Sequence, residues 1–111
     1  MADKLDCRVL AVNASTAAQN LLLAAPTTIG GTGVGHIIVW QVLLGGAGAN
    51  TLQFQSGNTN IGLPIIFTAN GSTATLQDTG APWFETKPGE ALNLTLTTTA
   101  AVTGEIYYTY G

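Results

Sequence analysis

Few residues in this chain have side chains that could perform covalent chemistry. They comprise one histidine, His36, one cysteine, Cys7, and six acids. A histidine base needs a nucleophile and an orienting group beside it, and neither the spacing nor the flanks of Cys7 and His36 carry such a signature. His36 instead opens an apolar run, His36 to Leu44, as a residue starting a strand would. Asp78, Glu85, Glu90 and Glu105 include enough carboxylates for the acid and base pair of a glycosidase, but nearly any chain with a few acids meets that condition. Glu85 and Glu90 flank Lys87-Pro88-Gly89, which reads as the solvated end of a hairpin.

Ligand-binding patterns are equally thin. Gly31-Thr32-Gly33-Val34-Gly35 lacks the lysine of a phosphate loop, and a β-branched run follows where a helix N-terminus would be required. Asp3 and Asp6 are too sparse for a calcium loop, and a single cysteine with a single histidine does not make a zinc set. Three matches to the glycosylation acceptor pattern, at Asn13, Asn70 and Asn93, are unremarkable in a chain so rich in Asn, Ser and Thr. The expectation is a protein without catalytic residues, cofactor or metal.

Charge limits the partners. Charged residues make up 8% of the 111, against roughly 25% in an ordinary soluble domain. With Lys4, Arg8 and Lys87 as the fixed cations, no basic patch can gather the phosphate contacts on which nucleic-acid affinity rests. An anionic membrane is disfavoured for the same reason, and the run from Ile37 to Leu44 is too short to span a bilayer. Low charge with 46% apolar residues is the composition of a folded domain. A lone cysteine and a polar start, Met1 to Asp6, point to folding in a reducing cytoplasm without a secretion signal.

The elements that would position these side chains read as all-β. Alternation of period two recurs along the chain, and no segment sustains helical spacing between caps. Strands are expected at Arg8 to Val12, Asn20 to Ala24, His36 to Leu44, Thr51 to Gln55, Ile61 to Phe67, Thr73 to Gln77, Ala91 to Thr97 and Gly104 to Tyr110. Trp83 to Thr86 is a candidate for a further short one. Turn clusters such as Gly30-Gly31-Thr32-Gly33, Asn70-Gly71 and Lys87-Pro88-Gly89 separate them. About eight short strands in one domain imply an antiparallel β-sandwich. A jelly roll suits that number better than an immunoglobulin-like sandwich, whose Cys and Trp core signature is missing.

Several strands have clear faces. Leu92, Leu94 and Leu96 oppose Asn93, Thr95 and Thr97, and Leu52 and Phe54 oppose Gln53 and Gln55. The run from His36 to Leu44 is apolar on both faces, with Ile37, Val39 and Leu43 against Ile38, Trp40, Val42 and Leu44. Its second face must be covered by an intramolecular loop or by a partner. Ile38, Trp40 and Val42 are therefore candidate interface residues, together with Trp83, the outward Tyr107 of the last strand, and Tyr110, which alternates onto the other face with Ile106 and Tyr108.

The second half of the chain carries a recognisable series. Thr51-Leu52-Gln53-Phe54-Gln55-Ser56-Gly57 precedes Ile61-Gly62-Leu63-Pro64 and Ala69-Asn70-Gly71. Pro82-Trp83-Phe84-Glu85-Thr86, Gly89-Glu90-Ala91-Leu92-Asn93-Leu94 and Val102-Thr103-Gly104 follow. This series resembles small structural proteins of tailed bacteriophages, of which the best understood are jelly-roll capsid decoration, or cement, proteins. The resemblance implies a virion protein on the outer capsid surface. Its partners would be the major capsid protein and other copies of itself, a trimer before a dimer. It also implies a flexible or partner-binding arm at residues 1–6, with Leu5 as a candidate contact. A tail, spike or receptor-binding module and a carbohydrate-binding sandwich are the alternatives.

Overall fold

The structure, a computed structural model, describes residues 7–26 and 35–111. The expected arm with Leu5 and the turn at Gly30 to Gly33 lie outside the described residues. Among the described residues ten strands run in chain order: β1 Arg8–Ala14, β2 Gln19–Leu23, β3 Ile37–Gly46, β4 Asn50–Ser56, β5 Thr59–Asn60, β6 Ile65–Phe67, β7 Ser72–Leu76, β8 Phe84–Glu85, β9 Leu92–Leu96 and β10 Val102–Tyr110. Two of them, β5 and β8, have only two residues each. The other eight answer the strands expected from alternation, and β8 falls within the short additional one.

All pairings are antiparallel. One sheet has the order β1-β10-β3, with β7 and β8 sharing the outer edge of β3; the other has β2-β9-β4, with β5 and β6 sharing the outer edge of β4. Early strands pair with late ones in reverse order: β1 with β10, β2 with β9, β3 with β7 and β4 with β6. A single long hairpin rolled up so that its strands alternate between two sheets gives this order, which is the winding of a jelly roll. The chain is a single-domain β-sandwich.

Burial follows the alternation. Leu92, Leu94 and Leu96 of β9 join Leu52 and Phe54 of β4 in one core cluster with Val12, Val39, Val42, Leu44, Val102 and Ile106 of the facing sheet. Each such large side chain, fully withdrawn from water, contributes about 1.5–3 kcal/mol. Gly46 is part of this fit, because a Cβ there would stand 2.8 Å from ring carbons of Phe67. The bare backbone lets that ring approach the opposite sheet closely.

The two-faced run resolves differently from its simple alternation. Tyr107 of β10 stands opposite Gln41, but Tyr108 stands opposite Val39, so Trp40 is an extra residue in β3. This β-bulge switches the phase of the strand. Ile37 and Val39 before it, and Val42 and Leu44 after it, all face the core. The expected assignment of Val42 and Leu44 to the outer face, and of Leu43 to the inner, is corrected by this one inserted residue.

A second correction concerns Ile61 to Phe67, expected as one strand. Ile61 N–H still donates to Phe54 C=O at 2.9 Å, but Gly62 then takes φ 72° and Pro64 offers no N–H. The chain leaves the sheet edge as a loop and rejoins it at Ile65.

Candidate functional site

Among the described residues the reactive side chains are dispersed. His36 Nε2 is 3.8 Å from Glu85 Oε1, too far for a hydrogen bond. Glu90 Oε1 accepts from Ser56 Oγ at 2.6 Å, and Ser56 Oγ accepts from Lys87 N–H at 2.9 Å, which ties the Lys87-Pro88-Gly89 turn to β4. Asp78 Oδ1 accepts from Gly80 N–H within its own turn. Glu105 accepts from the Tyr107 hydroxyl at 3.0 Å, and this bond, with the carboxylate's charge, raises the Tyr107 phenol above its ordinary pKa. Cys7 is exposed at the start of β1, and β10 separates that strand from β3, which begins just after His36. Among the described residues, no three of His, Cys, Asp and Glu converge in a way that could hold a metal ion.

Among the described residues lies an apolar feature shaped to receive a side chain. Where the two sheets part, between β7 and β8 on one side and the β5–β6 loop on the other, lies a cleft of about 350 Å³. Phe54 and Phe84 form its floor, with ring centroids 4.8 Å apart. Leu63, Pro64 and Ile65 wall one side, Leu76 and Trp83 the other. The rim is exposed, with Leu63 at 86% and Trp83 at 43%. Gly62 makes the approach of the loop possible, since its positive φ turns the chain and a Cβ there would already be 3.3 Å from the Phe84 ring.

Trp83 is fixed in place. Its N–H donates to Val39 C=O and its indole N–H to Gln77 C=O, both at 2.9 Å. The residues after it are pinned to both sheets. Thr86 N–H donates to Ile37 C=O while Ile37 N–H donates to Thr86 Oγ1, and Gly89 N–H reaches Gly35 C=O. On the other sheet Lys87 bonds Ser56, and Gly57 N–H donates to Ala91 C=O. The segment from Trp83 to Ala91 thus laces the end of the sandwich. Because the indole donor is already engaged and no charged side chain lines the cleft, its chemistry suits an apolar side chain.

The expected interface residues do not form one surface. Trp83 is at the cleft. Val42 is in the core, and Ile38 and Trp40, each 4% exposed, are already covered within the chain. Tyr107 is half-buried on the outer face; Tyr110 turns inward, edge-on to Tyr108 at 5.5 Å and beneath the Arg8 guanidinium at 5.2 Å. Leu63, Ile66, Val9 and Leu21, all strongly exposed, were not singled out by the sequence reading. Pro64 inside a strand-like run was the one available sign that Leu63 would be lifted off a sheet. Comparison with family models, with curated proteins and with solved structures finds no match.

Proposed function

We propose that the protein is a non-catalytic structural module that decorates the capsid of a tailed bacteriophage, binding the assembled shell and bridging major capsid protein subunits. The observation that carries this reading is the lacing segment. Trp83 to Leu94, the part of the chain with the most specific resemblance to decoration proteins, builds one wall of the exposed apolar cleft and pins it to both sheets. The jelly-roll winding supports the reading, being the fold that the resemblance implies. A low-charge surface is consistent with an addition that joins a shell without capturing DNA.

The mechanism is additive binding. A protein that binds the assembled shell and not its dissociated subunits stabilises the shell by mass action. A symmetric lattice presents many equivalent sites, so an assembly of several copies gains avidity from modest single contacts. The carbohydrate-binding alternative draws less support, because Trp40 is buried and the walls around Trp83 are aliphatic.

The test mixes purified protein with expanded, undecorated capsids. Stoichiometric binding with a rise in capsid melting temperature is expected. Absence of binding with unchanged melting, while the protein adheres to tail components or host glycans, would refute the proposal.

A further inference from the structure

Among the described residues three edge strands line the cleft, through Ile65 of β6, Leu76 of β7 and Phe84 of β8. With five residues β7 is the longest of them, and its ladder with β3 is regular from Ser72 to Leu76. Successive residues of an antiparallel strand turn their backbone N–H and C=O to opposite sides. Ser72, Ala74 and Leu76 stand opposite Gly46, Leu44 and Val42, and Gly46 C=O accepts from Gly71 N–H, so this set of β3 groups turns toward β7. Two bonds beyond the strand agree with that phase. Asp78 N–H turns back to the Gln41 side chain of β3, whereas Gln77 C=O points away, to the Trp83 indole. Ala74 and Leu76 therefore bond β3, and Thr73 and Thr75 direct their backbone groups outward.

Among the described residues no ladder continues from this edge, since β6, which residues 68–71 link to β7, pairs with β4 in the other sheet. Nor does β7 carry the devices that guard an edge, having no charge, no proline and no bulge. Its side chains alternate: Ala74 and Leu76 pack on the core, while Thr73 and Thr75 are exposed. Directly opposed residues of paired strands share a face. A strand laid against β7 thus sends the residue opposite Leu76 inward, to the cleft, and those opposite Thr73 and Thr75 outward. Trp83 ends the ladder, because its indole already holds the Gln77 carbonyl, and it walls the cleft where the inward side chain arrives.

We infer that β7 and the cleft together receive an extended segment of another protein as an added strand, anchored by an apolar side chain opposite Leu76. The backbone groups of Thr73 and Thr75 supply the hydrogen bonds, and the cleft supplies the pocket for an alternate side chain. Asp78 and Glu85 lie on either side of Trp83 in the chain, so acidic residues in the segment are disfavoured. The inference rests on the proposed role in taking this face as the one that meets a partner, and it does not require that partner to be a capsid. A peptide that adds to β7 of a protein indifferent to capsids would sink the decoration role alone. A protein that binds capsids but adds no peptide would sink this inference alone.

The test selects binders to the intact chain from a displayed library of random octapeptides, then measures the resynthesised peptides by titration and amide exchange. They should alternate apolar with uncharged polar residues and slow exchange at the Thr73 and Thr75 amides. Trp83→Ala should weaken binding by roughly tenfold or more, as loss of a buried aromatic anchor does. Thr75→Pro removes an N–H that faces outward, a change an edge strand accepts, and should abolish binding while thermal unfolding remains cooperative. N-methylation of the peptide reads the ladder without altering the protein. At the residues whose N–H faces β7 it should abolish binding; at the residues between them it should not. A library without binders, protection on a different edge, binding that survives Thr75→Pro, or an equal response to both methylation phases overturns the inference.

Discussion

The indole N–H of Trp40 donates to Thr109 Oγ1 at 2.8 Å on the outer side of the first sheet, where the two residues are only 4% and 1% exposed. The bond joins the bulged residue of β3 to the end of β10. Ile38, opposite Thr109, completes the patch, with the terminal Gly111 packed against its Cδ1. This patch lies apart from the inter-sheet core, so the fold has a second, smaller apolar cluster. Thr109→Val keeps the volume and removes the acceptor. It should cost about 1–3 kcal/mol in urea unfolding, the usual consequence of depriving a buried donor of its partner.

Gly104 sits in mid-strand with φ 151°, and a Cβ there would collide with the carbonyl oxygen of Leu43. That oxygen belongs to the neighbouring strand and cannot swing aside. Gly104→Ala must force β10 from β3, the central pair of its sheet, and should cost about 3 kcal/mol or more, at the severe end of single substitutions. Gly71 provides the contrast, with φ 88° and open space where the Cβ would go. Gly71→Ala should lose only about 1–2 kcal/mol, the conformational cost of a side chain in the left-handed region. Equal losses at the two sites would contradict the steric account.

Asn50 clamps the connection between β9 and β10. Its Oδ1 accepts from the backbone N–H groups of Thr51, Thr97 and Thr98, and its Nδ2 donates to Thr98 C=O and Ala100 C=O. Asn50→Asp keeps the acceptor and turns the donor into an oxygen facing two carbonyls. The variant should lose about 2–4 kcal/mol of stability and show faster amide exchange at Thr97 and Thr98. An unchanged denaturation midpoint would show that the clamp is dispensable.

The faces of β4 and β9 were legible because Leu52, Phe54, Leu92, Leu94 and Leu96 alternate with polar residues, and one buried face imposes that period. The phase change in β3 was not. Nothing local to Trp40 dictates a bulge; it is set by the pairing of Tyr107 and Tyr108 with residues far upstream. The cleft was illegible for a related reason. Phe54, Leu63, Leu76 and Trp83 come from separate parts of the chain and line one cleft only after the hairpin has rolled up. Trp83 was identified by its residue type, and its neighbours by the tertiary structure alone.

Tyrosine ionisation gives the chain an alkaline limit. Burial raises the Tyr108 phenol above its ordinary value of 10.0, the nearby Tyr110 hydroxyl adds to the rise, and Arg8 partly opposes it. A group whose folded pKa is raised favours the fold in its protonated form. Its contribution is complete below about pH 10 and is lost as pH climbs from there through the folded value. Urea midpoints should therefore fall above about pH 10. Tyr108→Phe, which cannot ionise, should flatten that fall while removing a hydroxyl from the core margin. Glu105→Gln removes the carboxylate that holds Tyr107 protonated, and the phenolate absorbance of Tyr107 should then appear at lower pH with little change in stability, because that ring is at the surface. A midpoint that stays level through this range, or an alkaline slope unaffected by Tyr108→Phe, would show that Tyr108 is not the group responsible.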